Sequence, residues 1–307
     1  MADFVSHYLF GELVQDKFPA VVQLAAVRRP AAFNWGLQGP DPLFYRKLAF
    51  GSPLHKYGNQ MHSECTDELF FAFARAVNRM TGDNRAIAEA YFYGFLCHYA
   101  LDSTLHPYVY CRQHECLEAD PKLNPSAVHC QIESDIDYAL YEQEYHAPVT
   151  DFDPGKYYAA SDEEIAVQAV LLHYLLGTVY GLRVSTADLR AAFREMLTVE
   201  NFLYSENASI YHGLQKLEGL AGRGALLTSH MKIDPPEWNC LNLEHAAWHN
   251  LWQPETERTE SVPELMESAM DTAAHLAGQY AAEFDAGWLL LHHYDVPFDN
   301  GSPKKMA

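Results

Sequence analysis

An all-α protein is predicted by three observations. Apolar residues recur at helical spacing through nearly all of the 307 residues. Alternating β-branched runs bounded by turn residues are almost absent. Helix-start and helix-stop signals also punctuate the chain at intervals suited to a multi-helix bundle. Taken in order, the periodicity marks helices over residues 5–15, 18–28, 64–81 and 84–106, the last closed by Pro107. It continues over 126–144, where Ser126 stands at the cap position, and over 161–180, opened by a capping box of Ser161 with Glu164. Further segments follow over 186–198, 201–220 and 262–287. Three stretches read as long irregular loops instead: 30–60, rich in Pro, Gly and aromatics; 107–125, with Pro107, Pro121 and Pro125; and 229–262, with three tryptophans. One domain over 1–298 is expected, with its metal-binding half in about 1–145 and a disordered tail over 299–307.

Composition narrows the function. The 41 acidic and 21 basic side chains leave a formal charge of -20. Such a surface repels nucleic acid and anionic membranes, so no stable nucleic-acid binding and at most peripheral membrane contact are expected. The first residues carry no basic stretch followed by an apolar run, and no span is long and apolar enough to cross a bilayer. A cytoplasmic address is therefore expected, with the six cysteines reduced. Cys111 and Cys116 flank His114 in what reads as a surface loop, without the second pair that a zinc site needs.

Sixteen histidines are the unusual count, and their placement matters more than their number. His98, Asp102 and His106 are spaced i, i+4, i+8 and form one polar line on a helix otherwise apolar almost all round, through Tyr91, Phe92, Phe95, Leu96, Leu101 and Leu105. That helix should be buried. Three ionisable groups on it need a compensating partner, because unpaired burial costs several kcal/mol per group, and bound cations supply one. His129 and Glu133 repeat the i, i+4 pairing on the next helix. Asp135 and Asp137 extend its acidic character, or are ordinary exposed carboxylates. Upstream lie His7, Gly39-Pro40-Asp41 and Met61-His62. Each taken alone also reads as a turn residue or a satisfied histidine at a helix end.

In order, this series resembles the bacterial zinc-dependent phospholipase C family, related to the S1/P1-type nucleases. The resemblance covers about residues 1–145 and extends to Asn242-Leu243-Glu244-His245. It implies an α-helical bundle with long loops and two to three zinc ions in a cleft. It further implies that Asp41, His62 and His98 hold one ion and that Asp102 bridges it to another shared with His7. His106, His129 and Glu133 would hold the remaining ion. Three departures stand out. Secreted relatives use a mature N-terminal tryptophan as a ligand, where this chain begins Met1-Ala2, and the interval from Asp102 to His106 is shorter while that from His106 to His129 is longer.

The chemistry expected is metal-assisted hydrolysis of a phosphate ester, possible substrates including a phospholipid or its head group, with Asp41 as ligand and proton acceptor. Iron or manganese suits the same histidine and carboxylate donors. The competing reading is a non-catalytic helical module stabilised by metal. Catalysis is favoured because structural zinc sites are usually closed and cysteine-rich. Trp35, Phe44, Tyr45, Phe50, Trp238, Trp248 and Trp252 would rim a lipid-facing cleft or, as is favoured, pack the loops onto the helices. His292-His293 reads as a surface or packing pair, and His245 and His249 carry no assignment.

Overall fold

A computed structural model describes residues 4–48, 51–204, 216 and 235–299. Among them are twelve α-helices and one two-stranded ribbon, so the fold is all-α. The helices run α1 Phe4–Leu13, α2 Ala20–Arg28, α3 Pro30–Leu37, α4 Pro42–Tyr45, α5 Pro53–Ser63 and α6 Thr66–Arg79. They continue α7 Gly82–Ala119, α8 Pro125–Tyr145, α9 Pro154–Tyr157, α10 Asp162–Tyr180, α11 Thr186–Leu203 and α12 Val262–Ala286. Strands β1 Trp248–His249 and β2 Glu257–Arg258 pair antiparallel, Trp248 opposite Arg258. No helix among the described residues is long and apolar enough to cross a membrane.

α7 is the axis of the molecule. It packs against α1, α2, α3, α6, α8, α10 and α12. An all-round apolar surface dictates this, since Tyr91, Phe92, Phe95 and Leu96 have no exposed face to turn outward. The closest approach is to α3 at Gly36 and Gly94. A Cβ on Gly94 would stand 2.1 Å from the Phe33 carbonyl oxygen and 2.9 Å from Gly36 Cα. Only glycine lets the two backbones meet there.

Several boundaries differ from the sequence expectation, mostly for one reason. Pro107 does not close the central helix, which runs on to Ala119. An internal proline costs roughly 3 kcal/mol. Leu105 and Val109 on either side are fully buried, and burial contributes roughly 1.5–3 kcal/mol for each such side chain. Packing therefore outweighs the break. Cys111 and Cys116 accordingly sit on a helix, not in a loop.

The region 30–60 is likewise largely helical. Pro30, Pro42 and Pro53 occupy the first turns of α3, α4 and α5, where their fixed φ favours a helix and no amide proton is needed, and Ser52 caps α5 by accepting from the Leu54 N–H. On α8 the cap is Asn124, not Ser126. The Ser161–Glu164 capping box is present, and Ser261 with Glu264 makes a second on α12. α11 extends to Leu203 and is closed by Tyr204, and the rest of the expected helix over 201–220 lies outside the described residues apart from residue 216. From 235 to 261 the chain is irregular apart from the ribbon, as expected.

Candidate metal centre

Five segments deliver eight side chains to one region. α7 supplies His98, Asp102 and His106, all fully buried. α1 brings His7, the turn before α4 brings Asp41, α5 brings His62, and α8 brings His129 and Glu133. Every metal-ligating residue expected from the sequence is in this set.

The side chains form three groups, the first two sharing His98, and within each group the donor atoms lie within 4.8 Å of one another: His7, Asp41 and His98; His62, His98 and Asp102; and His106, His129 and Glu133. The membership differs in detail from what the resemblance implied. His7 joins Asp41 and His98, while Asp41 Oδ1 also stands 3.2 Å from His62 Nε2. Asp102 lies at the centre, with its two oxygens facing different ways. Oδ1 is 3.3 Å from His7 Nε2 and 3.7 Å from His106 Nε2, whereas Oδ2 is 3.2 Å from His98 Nε2 and 3.7 Å from His62 Nε2. His106 Nε2 and His129 Nε2 flank Glu133 Oε1 at 3.4 and 3.1 Å.

Hydrogen bonds at the far side of the rings settle which nitrogen faces inward. Nδ1 of His62 lies 2.8 Å from the Gly58 carbonyl, Nδ1 of His98 lies 3.0 Å from that of Leu37, and Nδ1 of His106 lies 3.1 Å from that of Phe298. A carbonyl only accepts, so each Nδ1 carries a proton and each ring turns its Nε2 inward. The His62 and His98 Nε2 atoms then face each other at 3.3 Å, with Asp102 Oδ2 beside them. Nitrogens and a carboxylate oxygen converging in a buried space need a proton or a cation among them, and a cation serves all of these donors at once. Buried His7 has no well-formed hydrogen bond on either ring nitrogen, and neither has Asp41 Oδ1 or His106 Nε2. Imidazoles oriented by backbone carbonyls, with unsatisfied inward atoms, are what a cation site requires.

Electrostatics agree. Burial alone would raise the Asp102 carboxyl, but His98 and His106 hold it well below the usual range. Burial pushes His106 down to about 4 and lowers His98 despite the opposing pull of Asp102. Burial also pushes His62 down, yet Asp41, Asp102 and the Gly58 carbonyl together outweigh it and raise that ring. His98 and His106 therefore present neutral nitrogens and Asp102 an ionised carboxylate, the forms that bind metals. No cysteine enters the groups found among the described residues.

No family model, curated protein or solved structure matches this chain.

Some positions that shape the centre escaped the sequence reading. Gly39 has a left-handed backbone, φ +47°, and a Cβ there would lie 2.2 Å from His98 Cδ2, so the Gly-Pro-Asp turn needs glycine to admit the imidazole. Tyr110 prolongs the i+4 line beyond His106 and packs 4.8 Å from the His129 ring and 5.3 Å from Trp252. The premature stop at Pro107 concealed it. Asp137 is not an ordinary exposed carboxylate but a buried one. It accepts from the Val5 and Ser6 N–H groups at 2.9 and 2.8 Å, from the Ser6 hydroxyl, and from Tyr204. It caps α1 from a distance and so places His7.

The 242–245 segment does not join the centre. Asn242 bonds the carbonyls of Ala246, Thr259 and Glu260, and exposed His245 faces Thr259 and Glu264. Most of the aromatics pack the structure. Trp35 and Trp248 are buried, Arg258 lies over the Trp248 ring, and Trp238 donates to Asp135, while Phe50 lies outside the described residues.

Proposed function

We propose that this chain is a metal-dependent phosphate-ester hydrolase, phospholipase C-like, loaded with two to three zinc ions. The observation that carries the reading is the inward convergence of the His62 and His98 Nε2 atoms on Asp102, in a centre without cysteine. Cysteine-free histidine and carboxylate sets favour open sites that keep a position for water and substrate, which supports catalysis over a purely structural role. Bound there, divalent cations would polarise phosphate oxygens and lower the pKa of a water to about 7.

The chain's own residues hold and orient. The Gly58, Leu37 and Phe298 carbonyls fix three rings, and the two oxygens of Asp102 address both sides of the centre. Asp41 supplies a carboxylate oxygen beside His62 and is the proton acceptor in this reading. Tyr110 and Trp252 stand where His129, the most exposed of the eight, meets the surface, and would form the wall for a phosphate ester such as a phospholipid head group. Iron or manganese could occupy the same donors. Six free cysteines support a reducing, cytoplasmic setting.

The test combines metal analysis with hydrolysis of bis-p-nitrophenyl phosphate. Wild type should turn over, lose activity on chelation and regain it with zinc, while His98→Ala should fall by about 10²–10³-fold, as expected when a transition-state-stabilising group is lost. Full activity after complete chelation rejects the reading.

A further inference from the structure

We infer that the segment running from Trp288 to Asp299 is a built-in arm of the metal centre, and that its docking and cation occupancy are coupled through Phe298 and Asp299. The segment leaves the end of α12 and is pinned in succession. His292 pairs with Glu283 at 2.6 Å, the Tyr294 N–H donates to Asp67 at 3.1 Å, and the Tyr99 hydroxyl donates to the Val296 carbonyl at 2.9 Å. It ends inside the site. The Phe298 carbonyl accepts from His106 Nδ1 at 3.1 Å, and the Asp299 N–H donates to the backbone carbonyl of His62 at 3.1 Å. The Phe298 ring is fully buried 5.8 Å from the His62 ring and 5.9 Å from the His98 ring, stacked on Phe70. Asp299 is thus ordered, contrary to its expected place in a disordered tail, and it accepts from the Tyr110 hydroxyl at 2.8 Å.

Two consecutive residues therefore touch His106 and His62, which belong to different cation groups. Groups that orient a ligating imidazole govern metal affinity, and their loss typically costs about 10–100-fold. Anything that binds only the docked arrangement stabilises it in return. The inference rests on the metal reading above but asks a separate question, namely whether this arm sets the geometry.

The experiment uses the full chain, with zinc titrated by calorimetry and cobalt(II) as the spectroscopic probe. Asp299→Pro removes the N–H to His62, Asp299→Asn keeps it, and Phe298→Ala removes the packed ring. Proline and alanine variants should bind metal at least about 10-fold more weakly, with a changed cobalt d–d spectrum, while Asp299→Asn returns to the wild-type spectrum. In wild type, zinc should slow hydrogen exchange over 288–299 at least tenfold, a readout that survives if a variant misfolds. A wild type that binds no metal overturns both the metal reading and this one. Metal-replete wild type whose 288–299 exchange ignores zinc, or variants with unchanged affinity and spectrum, overturns the arm alone.

Discussion

At the scale of single residues, the centre depends on a few atoms that cannot be exchanged. Gly39 is the sharpest case, because a methyl group there would enter the His98 ring and the backbone would be held at positive φ, itself worth about 1–2 kcal/mol. Gly39→Ala should therefore lose bound metal, measurable by elemental analysis, while retaining the helical circular dichroism of wild type. Full metal content in this variant would show that the ring has room to turn. Acid should act on the metal-free protein through the same imidazoles. His106 is depressed to about 4 in the folded chain, so its neutral form stabilises the fold above its ordinary 6.5 and that contribution is lost as pH falls towards 4. His98, also lowered, acts in the same direction, while the contribution of Asp102 is lost only below its ordinary 3.8. His62, raised, opposes them by favouring the fold below its ordinary 6.5. With two groups against one, melting in the presence of chelator should move to lower temperature between pH 7 and pH 4. A flat profile would contradict the burial of neutral rings.

At the scale of elements, α3 and α7 meet through Gly36 and Gly94, and the Leu37 carbonyl that orients His98 lies at the end of that contact. Gly94→Ala should cost about 1–3 kcal/mol or more, because the obstructing atoms are backbone and cannot rotate away. Chemical denaturation would measure it, and a loss below about 0.5 kcal/mol would mean that α3 shifts freely. Asp137 holds α1 in a similar way, and Asp137→Ala should cost about 1–3 kcal/mol by stranding buried donors and should weaken metal binding at the His7 group before the others. Legibility in the sequence follows this division. The line of His98, Asp102 and His106 on α7 was readable because i, i+4 spacing and an apolar surround are local properties. Pro30, Pro42 and Pro53 misled, since a proline marks a helix start as readily as a stop, and only tertiary packing decided Pro107. The carbonyls of Gly58, Leu37 and Phe298 left no trace, because every residue has a carbonyl and its direction is set by the fold.

At the scale of the whole molecule, a centre assembled from five segments should link metal content to global stability. Zinc at about 100 times its dissociation constant stabilises by about 2.7 kcal/mol per site, so chelation should lower the melting temperature by roughly 5 °C or more. Calorimetric scans with and without chelator would show it, and identical scans would mean that the eight side chains hold no ion. α7 also governs how this chain can change in length. Its 38 residues form one rod through the molecule, and each residue turns it by about 100°. An extra residue between His98 and His106 would swing every downstream ligand to another side of the rod, whereas the turn at 120–124 after its end could lengthen without moving any of them. Insertions and deletions among natural variants should therefore gather at that turn and spare the rod, even where the identities of its outward residues drift.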